Sequence, residues 1–102
     1  MRFRRAKLKM ARAVATLKIM PSSPDVDLNK LEAKAKEIIF RFLGEKSETK
    51  INIEPVAFGL KALIIFFVME ESLGSPDPIA EKVANLKEVN SAEITDVRRA
   101  IG

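Results

Sequence analysis

Apolar and polar residues alternate from Ala13 to Met20, with Ala15, Leu17 and Ile19 on one face and Val14, Thr16 and Lys18 on the other. A period of two predicts a half-buried strand. Pro21 ends it, and Ser22-Ser23-Pro24-Asp25 is turn chemistry. The period then changes. Leu28, Leu31, Ala35, Ile38, Ile39 and Phe42 form the stripe of an amphipathic helix. Asp27 stands where an N-cap belongs and Gly44 where a C′ glycine belongs, so the helix is predicted over 28–43. Lys30 sits where a capping box would carry Glu, and Glu37 can pair with Arg41 four residues on.

Alternation returns at Ile51, Ile53 and Pro55 against Asn52, Glu54 and Val56, a second strand. Its proline requires an edge, an end or a bulge. Ala57–Leu60 is a break, and Lys61–Glu70 a third strand. The near-continuous apolar run of that strand predicts a central position. So short a link between the two strands permits only an antiparallel hairpin. After the turn cluster Ser72–Pro78, the spacing of Ile79, Val83 and Leu86 predicts a helix of about ten residues. Ser75 or Asp77 would cap it, with Pro76 or Pro78 in its first turn. Val89–Arg98 is a fourth strand whose faces, Val89/Ser91/Glu93/Thr95/Val97 and Asn90/Ala92/Ile94/Asp96, are both mixed. The pattern leaves its inward face open and suits an edge.

The order β-α-β-β-α-β, with two right-handed crossovers around a central hairpin, predicts an α+β fold. This is the ferredoxin-like α/β plait, a four-stranded antiparallel sheet with two helices on one face.

Composition narrows the chemistry. The 102 residues suit one domain, and 47% apolar content suffices for a core. Cysteine and histidine are both absent. Disulfides, thiolate zinc sites, Cys nucleophiles and a Ser-His-Asp triad are therefore impossible. The carboxylate pairs Glu70-Glu71 and Asp25/Asp27 have no adjacent nucleophile and read as solvated loops. Neither a GxxxxGK[ST] nor a GxGxxG phosphate loop occurs. The expectation is a protein without catalytic residues, metal ligands or a cofactor, and so not an enzyme.

Charge is unevenly placed. Of the net +4, five positive charges lie in Arg2, Arg4, Arg5, Lys7 and Lys9; beyond residue 9, thirteen basic residues face fourteen acidic ones. Residues 1–10 read as a disordered basic extension, with Met10 a candidate second start and residues 11–102 the domain proper. The functional alternative is an arm that binds RNA phosphates. The longest apolar run, Ala62–Met69, is eight residues, far below the ~18 of a membrane span. With no apolar segment of a secretory signal, the chain reads as cytoplasmic.

Two local features invite a functional reading. Phe58, in a turn beside Gly59, is either a cap on the core or a protruding partner anchor. Phe66 and Phe67, on the third strand, invite comparison with RNA-recognition modules. Adjacent residues of a strand face opposite ways, and no basic and Gly positions precede them, so that match is poor.

The segment Pro55-Val56-Ala57-Phe58-Gly59-Leu60-Lys61-Ala62-Leu63 resembles the P-[IV]-[GA]-F-G-[IL]-K-x-L stretch of the elongation factor 1-beta family. Val68-Met69-Glu70-Glu71 is similar to that family's V-V-E-D, and Val89-Asn90-Ser91-Ala92-Glu93-Ile94 to its V-Q-S-[VT]-D-I. The opening strand, Ala15-Thr16-Leu17-Lys18-Ile19-Met20-Pro21, fits as well. The resemblance covers roughly residues 11–102, and the short chain looks like the archaeal version.

What the resemblance implies is the α/β plait and exchange of GDP for GTP on elongation factor 1-alpha during translation. Membrane and direct nucleic-acid binding are not expected. Phe58 matches the family's partner-contacting Phe, with Gly59 and Lys61 in the same motif. Arg99 aligns with a Lys that in eukaryotic members intrudes on the partner's Mg²⁺ site. Here the residue is Arg, preceded by Arg98 and followed by Ala100-Ile101-Gly102. Arg prefers bidentate anions, and the plain reading of Arg98 and Arg99 is a solvated strand end. A regular strand would put them on opposite faces. The competing functions are an RNA-binding module that uses the basic arm and a small-molecule regulatory domain that dimerises through its sheet.

Overall fold

A computed structural model describes residues 11–100; the basic extension read at residues 1–10 lies outside the described residues. Strand β1 (Arg12–Pro21) buries Ala13, Ala15, Leu17 and Ile19 and leaves Val14, Thr16, Lys18 and Met20 half-buried, as its alternation requires. Helix α1 (Leu28–Leu43) starts at Asp27, whose Oδ1 accepts from the N–H groups of Asn29 and Lys30 at 2.9 and 3.3 Å. It stops at Gly44, where φ of +82° lets the N–H return to the Phe40 carbonyl at 2.8 Å. That conformation is inexpensive only for glycine. Since the cap satisfies two backbone donors, Asp27→Ala is expected to cost about 1 kcal/mol in a urea melt.

Strand β2 (Thr49–Pro55) joins β3 (Lys61–Glu70) by the expected hairpin. After a short 3₁₀ turn, Glu71–Leu73, comes helix α2 (Asp77–Ala84), and β4 (Val89–Ala100) closes the chain. The sheet order is β2-β3-β1-β4, all antiparallel. β3 is central, and β2, with Pro55 as its last residue, is an edge. Both helices cover one face. Leu31, Ala35 and Ile39 of α1 and Ile79, Ala80 and Val83 of α2 join Leu17, Ile19, Leu63, Ile65 and Phe67 in one core. Ile38 and Phe42 pack at its margin. The described fold is the ferredoxin-like plait.

Two elements differ in detail from the sequence pattern. Helix α2 has eight residues, not ten, because the chain past Ala84 changes hydrogen bonding. Asn85 and Leu86 donate three residues back, to Lys82 and Val83, and this tighter turn still seats Leu86 against the core. Of the two candidate caps, Ser75 is the acceptor: its Oγ takes the Asp77 N–H at 3.1 Å.

The other element is β4, whose mixed faces have a structural cause. Thr16 pairs with Asp96 but Leu17 with Ile94; Met20 pairs with Ser91 but Pro21 with Val89. Thr95 and Asn90 are therefore extra residues, and each such bulge reverses the side-chain phase. Val89, Ala92, Ile94 and Val97 all end on the helix side, opposite Pro21, Ile19, Leu17 and Ala15.

Candidate functional site

The β2–β3 hairpin ends in a turn held by its own backbone. Pro55 pairs with Lys61, the Val56 N–H donates to the Leu60 carbonyl at 2.9 Å, and the Leu60 N–H to Ala57 at 3.3 Å. Closing the turn takes two successive left-handed residues, Phe58 (φ 62°, ψ 31°) and Gly59 (φ 76°). Glycine adopts this freely, whereas a residue with a Cβ does so at a cost of about 1–2 kcal/mol. At Gly59 the constraint is the dihedral, since an added Cβ would meet only the Pro24 ring, at 3.9 Å. Phe58 is 92% exposed. Phe58 therefore protrudes and does not cap the core. Phe58 thus combines an uncovered apolar ring with a strained backbone, neither of which helps the isolated domain fold. Lys61, the first residue of β3, is exposed beside it.

The two C-terminal arginines point to opposite faces. Arg98 pairs with Val14 on the open face, and its Nε–H donates to Asp96 Oδ2 at 2.8 Å. Arg99 pairs with Ala13 on the helix side. It donates through Nε and Nη2 to both carboxylate oxygens of Glu71, at 2.8 and 3.0 Å. Glu71 is held below its ordinary carboxylate value, chiefly by the Arg99 hydrogen bond; burial opposes this, and the Arg99 charge adds a smaller lowering. Arg99 is raised in turn by the same partner.

The structure gathers Phe58, Gly59 and Lys61 at one end of the sheet and leaves Arg98 and Arg99 at the other. Ala13, the neighbour of Arg99, pairs with Met69 of β3, eight residues along the strand from Lys61. At ~3.3 Å per residue the two groups are about 25–30 Å apart. No single pocket can hold both. A cleft of about 630 Å³ runs beside the C-terminal half of α1, and another of about 490 Å³ lies by Lys50, Asn52 and Phe66; neither is lined by Phe58 or Arg99. Among the described residues, no three acids gather as a metal-binding group, and no helix is long and apolar enough to cross a membrane. Sequence reasoning missed Glu71 as the partner of Arg99. Its available signal was an acid at the end of the strand that shares a neighbour with β4.

Comparison with known proteins identifies the family. The family described as EF-1 guanine nucleotide exchange domain matches residues 14–100, almost the whole described fold. Elongation factor 1-beta of Methanobrevibacter smithii is 47% identical over 90 residues, covering 88% of this chain and 98% of that protein. The chain belongs to the elongation factor 1-beta family. The elongation factor 1-beta proteins of Methanothermobacter thermautotrophicus and Methanocaldococcus jannaschii are 43% and 40% identical, covering 88% and 89% of this chain and 98% and 100% of their own lengths. These archaeal relatives agree with the archaeal type inferred from the motifs. Membership of the elongation factor 1-beta family gives the chain a role in translation elongation, as a guanine-nucleotide exchange factor.

Proposed function

We propose that this chain binds elongation factor 1-alpha in the cytoplasm and accelerates its release of GDP, acting as a binding protein and not as an enzyme. The observation that carries this reading is Phe58, exposed and strained in a domain of the exchange family. An aromatic ring held clear of its own fold is ready to fill a partner's pocket. Gly59 permits the turn that presents it, and Lys61 supplies a neighbouring charge. At the far end Arg99 approaches the partner's Mg²⁺ and phosphate site, where a cation competes with the metal; Arg98 faces the partner from the other side of the sheet edge. A partner that touches both ends must span the sheet. Exchange then follows from differential affinity: the factor binds the nucleotide-free GTPase more tightly than the GDP-bound one, so GDP affinity falls reciprocally. GTP refills the site and releases the factor. Residues 11–102 carry this activity, and the basic residues 1–10 are dispensable for it.

Stopped-flow release of labelled GDP from elongation factor 1-alpha, with and without this protein, tests the reading. Acceleration is expected, and its absence would overturn it. Arg99→Ala should slow release chiefly in Mg²⁺ and converge with the native protein in EDTA, where no metal remains to be displaced. Equal rates across a Mg²⁺ titration would remove Arg99 from the mechanism.

A further inference from the structure

We infer that Glu71 is a positioning residue: it grips one edge of the Arg99 guanidinium and aims the other edge at an oxyanion of the docked partner. The inference rests on the reading of Arg99 just given. A guanidinium has five N–H donors in one plane. Glu71 engages the side-on edge, one donor from Nε and one from Nη2. Two donors on Nη1 and one on Nη2 remain, and one from each nitrogen forms the distal, end-on edge of the plane. Arg99 is 70% exposed while Glu71 is 33% exposed, so the carboxylate is the sheltered, inner member of the pair.

Glu71 is also fixed to the sheet by its backbone. Its N–H donates to the Ala11 carbonyl at 3.0 Å, beside the start of β1, and its own carbonyl accepts from Gly74 at 3.0 Å to close the 3₁₀ turn. The acid thus sits on anchored backbone at the end of β3, and the arginine crosses β1 to reach it. Ala13, between them, has only a methyl group to crowd that crossing. A long side chain near the chain terminus would otherwise sample many rotamers. Held by two parallel hydrogen bonds, it loses that freedom before the partner arrives.

The chemistry of the partner group follows from the fork. Glu71 neutralises the inner part of the guanidinium charge, so Arg99 acts less as a bare charge than as a planar donor pair. Its match is a carboxylate or a phosphate accepting two hydrogen bonds. Lysine, with a single ammonium, could not offer one fixed edge to Glu71 and another to the partner.

A double-mutant cycle on GDP release in Mg²⁺ tests this, with the full chain and elongation factor 1-alpha. Arg99→Ala, Glu71→Ala and the double variant are compared, with Glu71→Gln keeping the side-chain shape and one acceptor. Glu71→Ala should slow release roughly tenfold, and the loss should vanish in the Arg99→Ala background, as expected for residues that act as one unit. Glu71→Gln should fall between. The loss should also disappear in EDTA while the urea midpoint stays put, which separates positioning from a structural role. If Arg99→Ala slows release but Glu71→Ala is neutral, faster or additive with it, the inference is overturned and the role of Arg99 stands. If Arg99→Ala itself changes nothing, the reading of Arg99 has failed and the role of Glu71 falls with it.

Discussion

Phe58→Ala is expected to slow factor-stimulated GDP release by roughly 30-fold or more, the loss that follows when an interface anchor worth at least ~2 kcal/mol is removed. The same substitution should leave the urea midpoint of the free protein almost unchanged. These two outcomes together are specific to an exposed anchor. A buried Phe truncated to Ala costs about 3–5 kcal/mol of stability. At 92% exposure, Phe58 has almost no packing to lose, and surface changes of this kind stay within ~0.5 kcal/mol. Its left-handed backbone offers a second control. Phe58→Gly removes both the ring and the left-handed cost, so it should be no less stable than Phe58→Ala and just as slow in exchange. A Phe58→Ala protein that melts several kcal/mol earlier, or that exchanges at the native rate, would remove Phe58 as the anchor.

Leu31→Ala should have the opposite signature, a loss of about 2–5 kcal/mol in stability, read in a urea melt. Leu31 is 1% exposed and belongs to the core cluster with Leu17, Ile19 and Ile65. Its backbone N–H bonds to the Asp27 carbonyl at 3.0 Å, in the first turn of α1. The capped start of the helix holds the side chain over the sheet, and the surrounding strands cannot collapse fully into the vacated space. Exchange by the molecules that remain folded should persist, because Phe58 and Arg99 lie on the sheet ends and not on α1. A loss under about 1 kcal/mol would show that the site relaxes around the smaller residue.

Much of this fold was legible in short stretches of chain. Alternation over Ala13–Met20 identified the buried face of β1, and Asp27 and Gly44 marked the ends of α1 to the residue. Such signals work because they are local: strand alternation, a side-chain cap and a left-handed terminus each operate within about one turn or a few residues. The apolar run of β3 and the proline of β2 likewise placed one strand centrally and the other at an edge. The motif around Phe58 was visible too, and its family resemblance implied an exposed ring, but the residue pattern alone left exposure open. A Phe beside a Gly suits a core cap as well as an anchor until the turn's dihedrals are known.

The sheet decided the rest, since those features depend on residues distant in sequence. Which face β4 turns inward follows from bulges at Thr95 and Asn90, and these exist only in its pairing with β1. The partner of Arg99 follows from strand order, which brings the ends of β3 and β4 to either side of β1, twenty-eight residues apart along the chain. Glu71 next to Glu70 looks in sequence like one more solvated acid. In the folded sheet it becomes the inner half of a bidentate pair, because hydrogen-bond geometry depends on distance in space and not along the chain. The same topology separates Phe58 from Arg99 by the length of a strand, so the reach of the candidate interface is a property of the sheet and not of either motif.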